Sequence, residues 1–233
     1  KAHLGKIDNS LTRALCWSAA WDMLRDAEIN ATDFIDIALA GLAGEDDIAT
    51  VTIIANQLVT AVEFYSFPSK RDSARLKVGN AFEVMLANAK AGSDHQLQFA
   101  RNFTSFASSA EHNDLIKELL DGKLAGLKVD ADLRWTFVIA LSERGLMDKE
   151  SLAAELLKDN TLTGQLSHAT ALAAMPTAEA KAETWNSITT EEITTSLREA
   201  KLAGFMRALH RPLLAAYVDP YFDLLLETWG KKS

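Results

Sequence analysis

The sequence has little of the residues that cross-link a chain or break its regular structure. Among its 233 residues there are one cysteine, four prolines and eleven glycines. A disulfide framework needs cysteines in pairs, so Cys16 alone excludes a disulfide-stapled domain and favours a reducing compartment. So few prolines and glycines are more typical of long helices than of many short strands joined by turns.

The sequence also lacks an excess of positive charge. It has 24 Lys and Arg residues against 32 Asp and Glu residues, for a net charge of −8. A nucleic-acid surface or an anionic membrane would need massed basic residues, so we expect neither nucleic acid nor membrane as a partner. No apolar run approaches the roughly 18 residues of a membrane span. The start, Lys1-Ala2-His3-Leu4, has no signal peptide, and we expect the chain to be a fragment of a longer protein.

The apolar residues that are present recur at helical spacing almost throughout. The clearest example predicts one helix of about 20 residues with a single apolar stripe. It is preceded by Glu45, Asp46 and Asp47, whose negative charge complements a helix N-terminus. The stripe consists of Ile48, Val51, Ala55, Leu58, Val62 and Tyr65.

The same periodicity predicts about a dozen helices and no strand. Thr32 is a suitable N-cap for one helix, Asp94 for another, and Gly145 is a suitable residue to end a third. The predicted helices cover about 10–24, 32–41, 48–65, 71–91, 94–106, 111–120, 131–144, 149–158 and 163–174, with others from Thr177, Thr190, Pro212 and Pro220. So many helices suit a curved, superhelical stack of antiparallel helix pairs better than a simple bundle. We therefore predict a single all-α domain over 1–233.

Catalytic and metal-binding motifs are missing from the sequence. No two of the five histidines are four residues apart, so H-E-x-x-H is absent, and one cysteine cannot form C-x-x-C. G-x-S-x-G and the glycine-rich phosphate loops are absent too. The carboxylate pairs Asp46-Asp47 and Glu191-Glu192 lie at predicted helix starts, where their charge complements the helix dipole. We expect the isolated histidines to lie on helix surfaces in contact with solvent. We predict no catalytic residue, metal site or cofactor in this chain.

Two tryptophans form the first less ordinary feature. Trp17 and Trp21 are four residues apart and share one helix face, with Arg13 and Arg25 on the same helix. One interpretation is a core contact between helices. The other is an exposed surface that docks another domain, where Trp and Arg are favoured.

Arginines among apolar residues form the second feature. Arg134 precedes Trp135 on a predicted helix, and Arg101 and Arg207 also have apolar neighbours. An inward-facing arginine could bind a carboxylate through two parallel hydrogen bonds. The alternative is a surface arginine whose stem lies along apolar neighbours.

Five stretches of the chain, in order, resemble the C-terminal helical domain of bacterial aminopeptidase N, a zinc aminopeptidase of the gluzincin group. The first stretch is LTRALCWSAAWDM at 11–23 with Arg25-Asp26, and the second is DLRW at 132–135. They are followed by DNT at 159–161 with Thr163-Gly164, by PTAEAKA at 176–182 with Trp185, and by YVDPYF at 217–222 with Trp229. None of these stretches is catalytic, so they indicate lineage rather than chemistry.

The resemblance implies a bowl of HEAT-like helix pairs and a cytoplasmic parent enzyme. The zinc ligands of such enzymes lie on an upstream catalytic domain, and the C-terminal domain covers the active site and limits or contacts the peptide. The implied partners are that upstream domain and the peptide substrate. We take Arg134 and Arg101 as candidates for binding the peptide, and Trp17, Trp21, Arg13 and Arg25 as candidates for docking the domain.

Two other functions stay open at the level of sequence. The first is a stand-alone helical-repeat scaffold that binds a protein partner on its concave face, for which capped terminal helices would be expected. The second is an independent hydrolase whose site is assembled from residues distant in sequence.

Overall fold

A computed structural model describes residues 7–232 and, among these, the side chains of residues 7–226. The start Lys1-Ala2-His3-Leu4 and the side chain of Trp229 lie outside the described residues. Every regular element in the described part is helical, which confirms the all-α prediction. The described chain divides into two compact units, of which the first ends at Asp130 and the second begins at Ala131. A single domain over 1–233 and a bowl-shaped superhelix both stay predictions.

The described part of the first unit contains six α-helices. A π-helical turn, Ala61–Tyr65, directly continues the third of them. The helices are α1 (Ser10–Arg25), α2 (Ala31–Leu42), α3 (Ile48–Thr60), α4 (Pro68–Asn88), α5 (Asp94–Phe106) and α6 (Ala110–Leu120).

Among its described residues, the second unit contains seven α-helices, one of them very short. Two 3₁₀ turns, Ala208–His210 and Ala215–Tyr217, flank the short helix. The helices are α7 (Ala131–Ser142), α8 (Lys149–Lys158), α9 (Leu162–Ala173), α10 (Ala178–Thr190), α11 (Thr195–Phe205), α12 (Arg211–Leu214) and α13 (Val218–Lys232).

Side-chain caps set most helix starts in both units. In each case the side-chain oxygen of the capping residue accepts a hydrogen bond from the backbone N–H three residues later, which satisfies a donor left free at the helix start. The capping residues are Asn9, Asn30, Asp47, Ser93, Ser109, Asp148, Thr161, Thr177 and Thr194.

These caps correct three predicted starts. Asn30, not Thr32, caps α2, and Ser93, not Asp94, caps α5. The helix predicted from Thr190 begins only at Thr195, because Thr194 is its cap. The Glu191-Glu192 pair therefore follows the end of α10 instead of starting a helix.

The predicted stripe of α3 lies in the core of the first unit. Val51, Ala55, Leu58 and Val62 are fully buried, together with aromatic residues such as Phe34, Phe82 and Phe103. The stripe ends earlier than predicted, since the wider π turn rotates Tyr65 out to partial exposure.

The same segment passes a simple test for a membrane span. Ile48–Tyr65 is long and apolar enough to cross a membrane by length and composition, so the prediction that no segment reaches this limit is wrong. Within the first unit 44% of the segment is buried, and its buried face packs in the core. A core helix gives the same composition signal, so the finding is weak evidence for a membrane.

The end of α1 holds a non-glycine residue in a left-handed conformation. Ala27 has φ +60°, and the N–H groups of Ala27 and Glu28 donate to the carbonyls of Leu24 and Met23. This is the Schellman pattern, in which glycine is usual because a Cβ costs about 1 kcal/mol there. Ala27 is therefore strained, whereas the equivalent position after α6 is occupied by a glycine, Gly122, at φ +71°.

We expect Ala27→Gly to raise the free energy of unfolding by about 1 kcal/mol, because it removes this strain. The matched change, Gly122→Ala, meets no neighbouring atom within 4 Å and is expected to lower stability by about the same amount. Urea unfolding of both variants measures the two effects. Equal signs for the two changes would contradict the explanation.

Candidate functional site

The histidines do not form a metal site in the described residues. No group of three or more His, Cys, Asp or Glu side chains there could hold a metal ion. The expectation that the histidines are solvated is wrong for His112 and His210, which are both buried. His112 accepts the Ser108 N–H at Nδ1 (3.2 Å), and Nε2 of His210 lies 2.7 Å from the carbonyl of Glu143.

Arg13 on α1 forms a buried ion pair with Glu45, which lies between α2 and α3. Nη2 of Arg13 is 2.8 Å from Oε1 of Glu45, and Nε donates to the same carboxylate at 3.2 Å. Nη1 donates to the carbonyl of Ile7 at 2.8 Å, and Nη2 also contacts Asp46. Arg13 is 6% exposed and Glu45 is 4% exposed. The pair therefore fixes α1 to the connection between α2 and α3.

The Glu45 carboxylate has further donors. Trp17 donates its indole N–H at 3.1 Å, and the backbone N–H of Asp47 donates at 3.2 Å. Burial alone would raise the pKa of Glu45, but the hydrogen bonds from Arg13 and Trp17 outweigh it and hold the pKa below its usual value. Glu45 is therefore the charged centre of an internal hydrogen-bond network. This corrects the prediction that the charge of Glu45 serves to complement the N-terminus of a helix.

Of the four candidate docking residues of α1, two belong to this network and two do not. Trp17 is buried and Arg13 is paired within the first unit, as expected of a contact between helices. Trp21 is half-buried, with its ring centroid 5.4 Å from Phe34. Arg25 is exposed, with Nη1 3.7 Å from a carboxylate oxygen of Asp22.

The opposite side of α1 carries exposed apolar residues. Leu11, Leu15, Ala19 and Met23 are spaced by four, so they form one line along the helix. Leu11 is 68% exposed and Leu15 is 63% exposed. We call this line the α1 outer face. It lies on the side of α1 opposite to the buried side chains of Arg13 and Trp17.

Arg134 on α7 binds a carboxylate of its own unit. Its Nε and Nη2 donate to the two oxygens of Glu155 at 2.6 and 2.8 Å. Lys158 donates to the same carboxylate at 2.8 Å. Burial opposes ionisation, but Arg134 and Lys158 hold the pKa of Glu155 below its usual value. Arg134 thus binds a carboxylate through two parallel hydrogen bonds, and this carboxylate is Glu155 of the same unit.

The neighbouring Trp135 secures the connection between α8 and α9. Its indole N–H donates to Oδ2 of Asp159 at 2.9 Å. Hydrogen bonds from Thr161 and Trp135 lower the pKa of Asp159. The turn is tight, since a Cβ on Gly164 would lie 1.9 Å from the carbonyl of Asp159. Only glycine fits there without a backbone shift.

The other candidate arginines lie in the first unit or are paired within the second. Arg101 lies half-buried on α5 in the first unit, whereas Arg134 lies in the second. Arg207, after α11, has its Nε 3.1 Å from Glu143, which also binds Arg144 at 2.6 Å. The structure thus does not place the two candidate peptide-binding residues in one unit.

A fully buried lysine is a feature that the sequence motifs did not predict. Lys181 on α10 is 0% exposed, and its Nζ donates to the carbonyls of Ala173 at 2.6 Å and Gly204 at 3.3 Å. These carbonyls lie at the C-terminal ends of α9 and α11, where a cation is favourable. The spacing of Lys181, Thr184 and Ile188 puts these residues on one buried face of α10, and this spacing could have predicted that the lysine is buried.

Burial changes the acid–base properties of Lys181. Desolvation, aided by the charge of Arg207 and opposed by Glu143, lowers its pKa to about 8. Its Nζ lies 5.8 Å from the centroid of the Phe205 ring. Next to it, burial also lowers the pKa of His210. The cluster carries ionisable groups, but each one bonds within the unit.

Comparison with known proteins decides the family. The sequence model of the family described as ERAP1-like C-terminal domain matches residues 1–233. The chain belongs to this family. An aminopeptidase N from Streptomyces lividans is 42% identical over 234 aligned residues, which cover 99% of this chain and 27% of that protein. The chain thus spans about a quarter of the length of its curated relative, and the expected resemblance is confirmed.

The stretches of sequence that resemble aminopeptidase N have a structural role in this chain. The stretch 11–26 supplies Arg13 and Trp17 to the Glu45 network, and 132–135 supplies Arg134 and Trp135. The stretch 176–185 supplies Lys181. Residues of the stretches that indicate the lineage therefore form polar contacts that join helices.

Proposed function

We propose that this chain is the non-catalytic C-terminal domain of a zinc aminopeptidase, an enzyme that removes N-terminal residues from peptides. The supporting observation is its 42% identity with part of an aminopeptidase N, combined with the family match over the whole chain. The zinc and its ligands belong in this proposal to an upstream catalytic domain. The parent enzyme is proposed to be cytoplasmic.

The proposed role of the domain is to enclose the catalytic cleft. Enclosure excludes folded proteins and keeps the reaction away from bulk water. The upstream catalytic domain is the proposed partner of the α1 outer face, because exposed apolar residues in line on a helix are typical of a contact surface. A stand-alone scaffold would instead be expected to carry polar residues on the outer side of its terminal helices.

The proposed contact with peptide uses Arg134 and Arg101. A peptide carboxylate that reaches Arg134 would compete with Glu155 for the guanidinium. Lys158 would stay on Glu155 and keep that carboxylate neutralised. The exchange of one carboxylate for another therefore leaves no buried charge unpaired, which makes Arg134 suitable for reversible binding.

Kinetics of the full-length enzyme test this assignment. We expect Arg101→Ala with Arg134→Ala to raise KM for peptides of several residues by about a hundredfold, since each of the two lost contacts with a charged group is worth about 1.5 kcal/mol. Hydrolysis of aminoacyl-p-nitroanilides, which have no distal part, should keep its kcat and KM. Arg25→Ala is the matched control, because Arg25 is exposed and pairs only loosely with Asp22.

The assignment fails if KM and kcat of the double variant equal those of the wild type at every peptide length. The wider proposal has its own test, in which the pure chain is loaded with Zn²⁺ and mixed with an aminoacyl-p-nitroanilide. Hydrolysis above the rate of zinc alone would contradict a non-catalytic role.

A further inference from the structure

The segment that joins α11 to α13 is attached to the end of α7 at Glu143. It covers residues 206–217 and contains the short helix α12 and both 3₁₀ turns. Nε2 of His210 lies 2.7 Å from the backbone carbonyl of Glu143, and Nε of Arg207 lies 3.1 Å from the Glu143 carboxylate. His210 is 4% exposed. These contacts inside the second unit therefore hold the start of the segment on α7.

The two ring nitrogens of His210 have different surroundings. Because Nε2 faces a carbonyl oxygen, it carries the proton of the neutral ring and donates it to Glu143. Nδ1 is buried and has no hydrogen-bond partner among the described residues. A further proton would bind at Nδ1 and create a buried, charged N–H donor for which the described residues provide no acceptor. Burial of such a donor is costly.

The charged groups around His210 are mostly positive. Lys181 on α10 and Arg207, which follows α11, both oppose protonation of the imidazole through their charge. From the end of α7 come the carboxylate of Glu143 and the guanidinium of Arg144, which lie 2.6 Å apart. In this part of the described second unit, three cations therefore surround one carboxylate. Protonated His210 would add a fourth positive charge.

The other ionisable groups on the elements of this region do not counter that charge. Lys201 of α11 bonds to α10, and His168 of α9 packs against α7. Arg211, which follows His210 in the segment, is itself positive. The carboxylates on α10 and α11 are exposed on the outer side of their helices: Glu179, Glu183 and Glu199.

We propose that His210 is a pH-sensitive switch, whose protonation in mild acid detaches residues 206–217 from the end of α7. Desolvation, aided by the charges of Lys181 and Arg207, holds the pKa of His210 in the attached segment below its ordinary value of 6.5. A detached imidazole reaches water and titrates at the ordinary value. Detachment therefore takes up a proton, so the attached state is fully favoured above pH 6.5 and loses stability as the pH falls below it.

The switch acts on the attachment of α13. The segment leads directly into α13, which begins at Val218. Its far end is held in the attached state by Tyr217, whose ring centroid lies 5.2 Å from that of Trp185 and 5.1 Å from that of Phe205. Protonation of His210 thus weakens one of the two places at which this segment is attached to the second unit.

Hydrogen exchange of the purified chain, read by mass spectrometry and corrected for the intrinsic pH dependence of exchange, tests the proposal. Because detachment takes up one proton, the protection of amides in 206–217 should fall by up to about tenfold between pH 6.5 and pH 5.5. It should not change between pH 7.5 and pH 7. Amides of α7 should stay protected throughout, which distinguishes local detachment from unfolding of the whole unit.

Three variants assign the effect to His210. His210→Gln keeps a donor for the Glu143 carbonyl but cannot be protonated, so its protection should be the same at pH 7.5 and pH 5.5. Arg207→Gln removes one neighbouring cation and should reduce the fall in protection, because the pKa of His210 then rises towards its ordinary value. His95→Gln is the matched control and should behave like the wild type, since Nε2 of His95 lies 2.9 Å from a backbone carbonyl in the first unit.

Titration of the His210 ring protons by NMR gives a reading that needs no variant. We expect a midpoint below 6.5, and a midpoint at or above 6.5 would contradict the proposal. Equal protection of 206–217 in the wild type at pH 7.5 and pH 5.5 overturns it. The same fall in protection in His210→Gln as in the wild type also overturns it, because another group would then bind the proton.

Discussion

Arg13→Met is expected to lower the free energy of unfolding by about 4 kcal/mol, the largest effect of a single substitution that we predict. The change leaves Glu45 buried without its main charged partner, while the methionine fills a similar volume. Glu45 would keep only the Trp17 and Asp47 N–H donors. Urea unfolding at pH 7 measures the loss. The matched control is Arg25→Met on the same helix, which should change stability by less than about 0.5 kcal/mol.

A double-variant cycle separates the ion pair from general damage to packing. Adding Glu45→Gln to Arg13→Met removes the unpaired charge and should recover about half of the loss. Arg13→Met with the same small effect as Arg25→Met would show that Arg13 does not fix α1 to the α2–α3 connection. Arg13 would then be available for contacts outside the unit.

Stability should rise with pH above pH 8 because of Lys181. The lysine has a pKa of about 8 when folded and an ordinary value of 10.5 when unfolded. Between these values the unfolded chain keeps a proton that the folded chain has lost, so raising the pH favours the folded state. Below pH 8 both states are charged, and the folded state bears the full cost of burying the ammonium. The difference corresponds to about 3 kcal/mol.

Comparison with Lys181→Met isolates this effect from other groups that titrate in alkali. The free energy of unfolding of the wild type, minus that of the variant, should rise by about 3 kcal/mol between pH 7 and pH 10.5. The variant loses the two donors to Ala173 and Gly204 at every pH, so this loss does not alter the slope. A flat difference would mean that the helix ends keep Lys181 charged and its pKa ordinary.

Helix content and position follow directly from local sequence rules. Apolar spacing and the cap residues act within a few positions, so α1, α7 and α8 were predicted within two residues of their bounds. Starts were misplaced where two suitable caps lie close together, as at Asn30 and Thr32. Only the hydrogen bond from the Asp33 N–H to Asn30 distinguishes them.

The buried polar network was less predictable, because its partners lie far apart in sequence. Glu45 is 32 residues from Arg13, and Glu155 is 21 residues from Arg134. The pattern showed that these arginines lie among apolar residues but not which carboxylate would meet them. Trp17 and Trp21 share a face as predicted, yet only the packing decides that Trp17 is buried and that Leu11 and Leu15 are exposed.

The central claim is that this chain is an accessory domain of a zinc aminopeptidase. Sequencing the coding region directly upstream of Lys1 tests it most directly. The proposal predicts an in-frame H-E-x-x-H with a downstream glutamate ligand in the same polypeptide, since these are the residues that zinc peptidase chemistry needs. An initiator codon close to Lys1, with no such motif in frame, would contradict the claim.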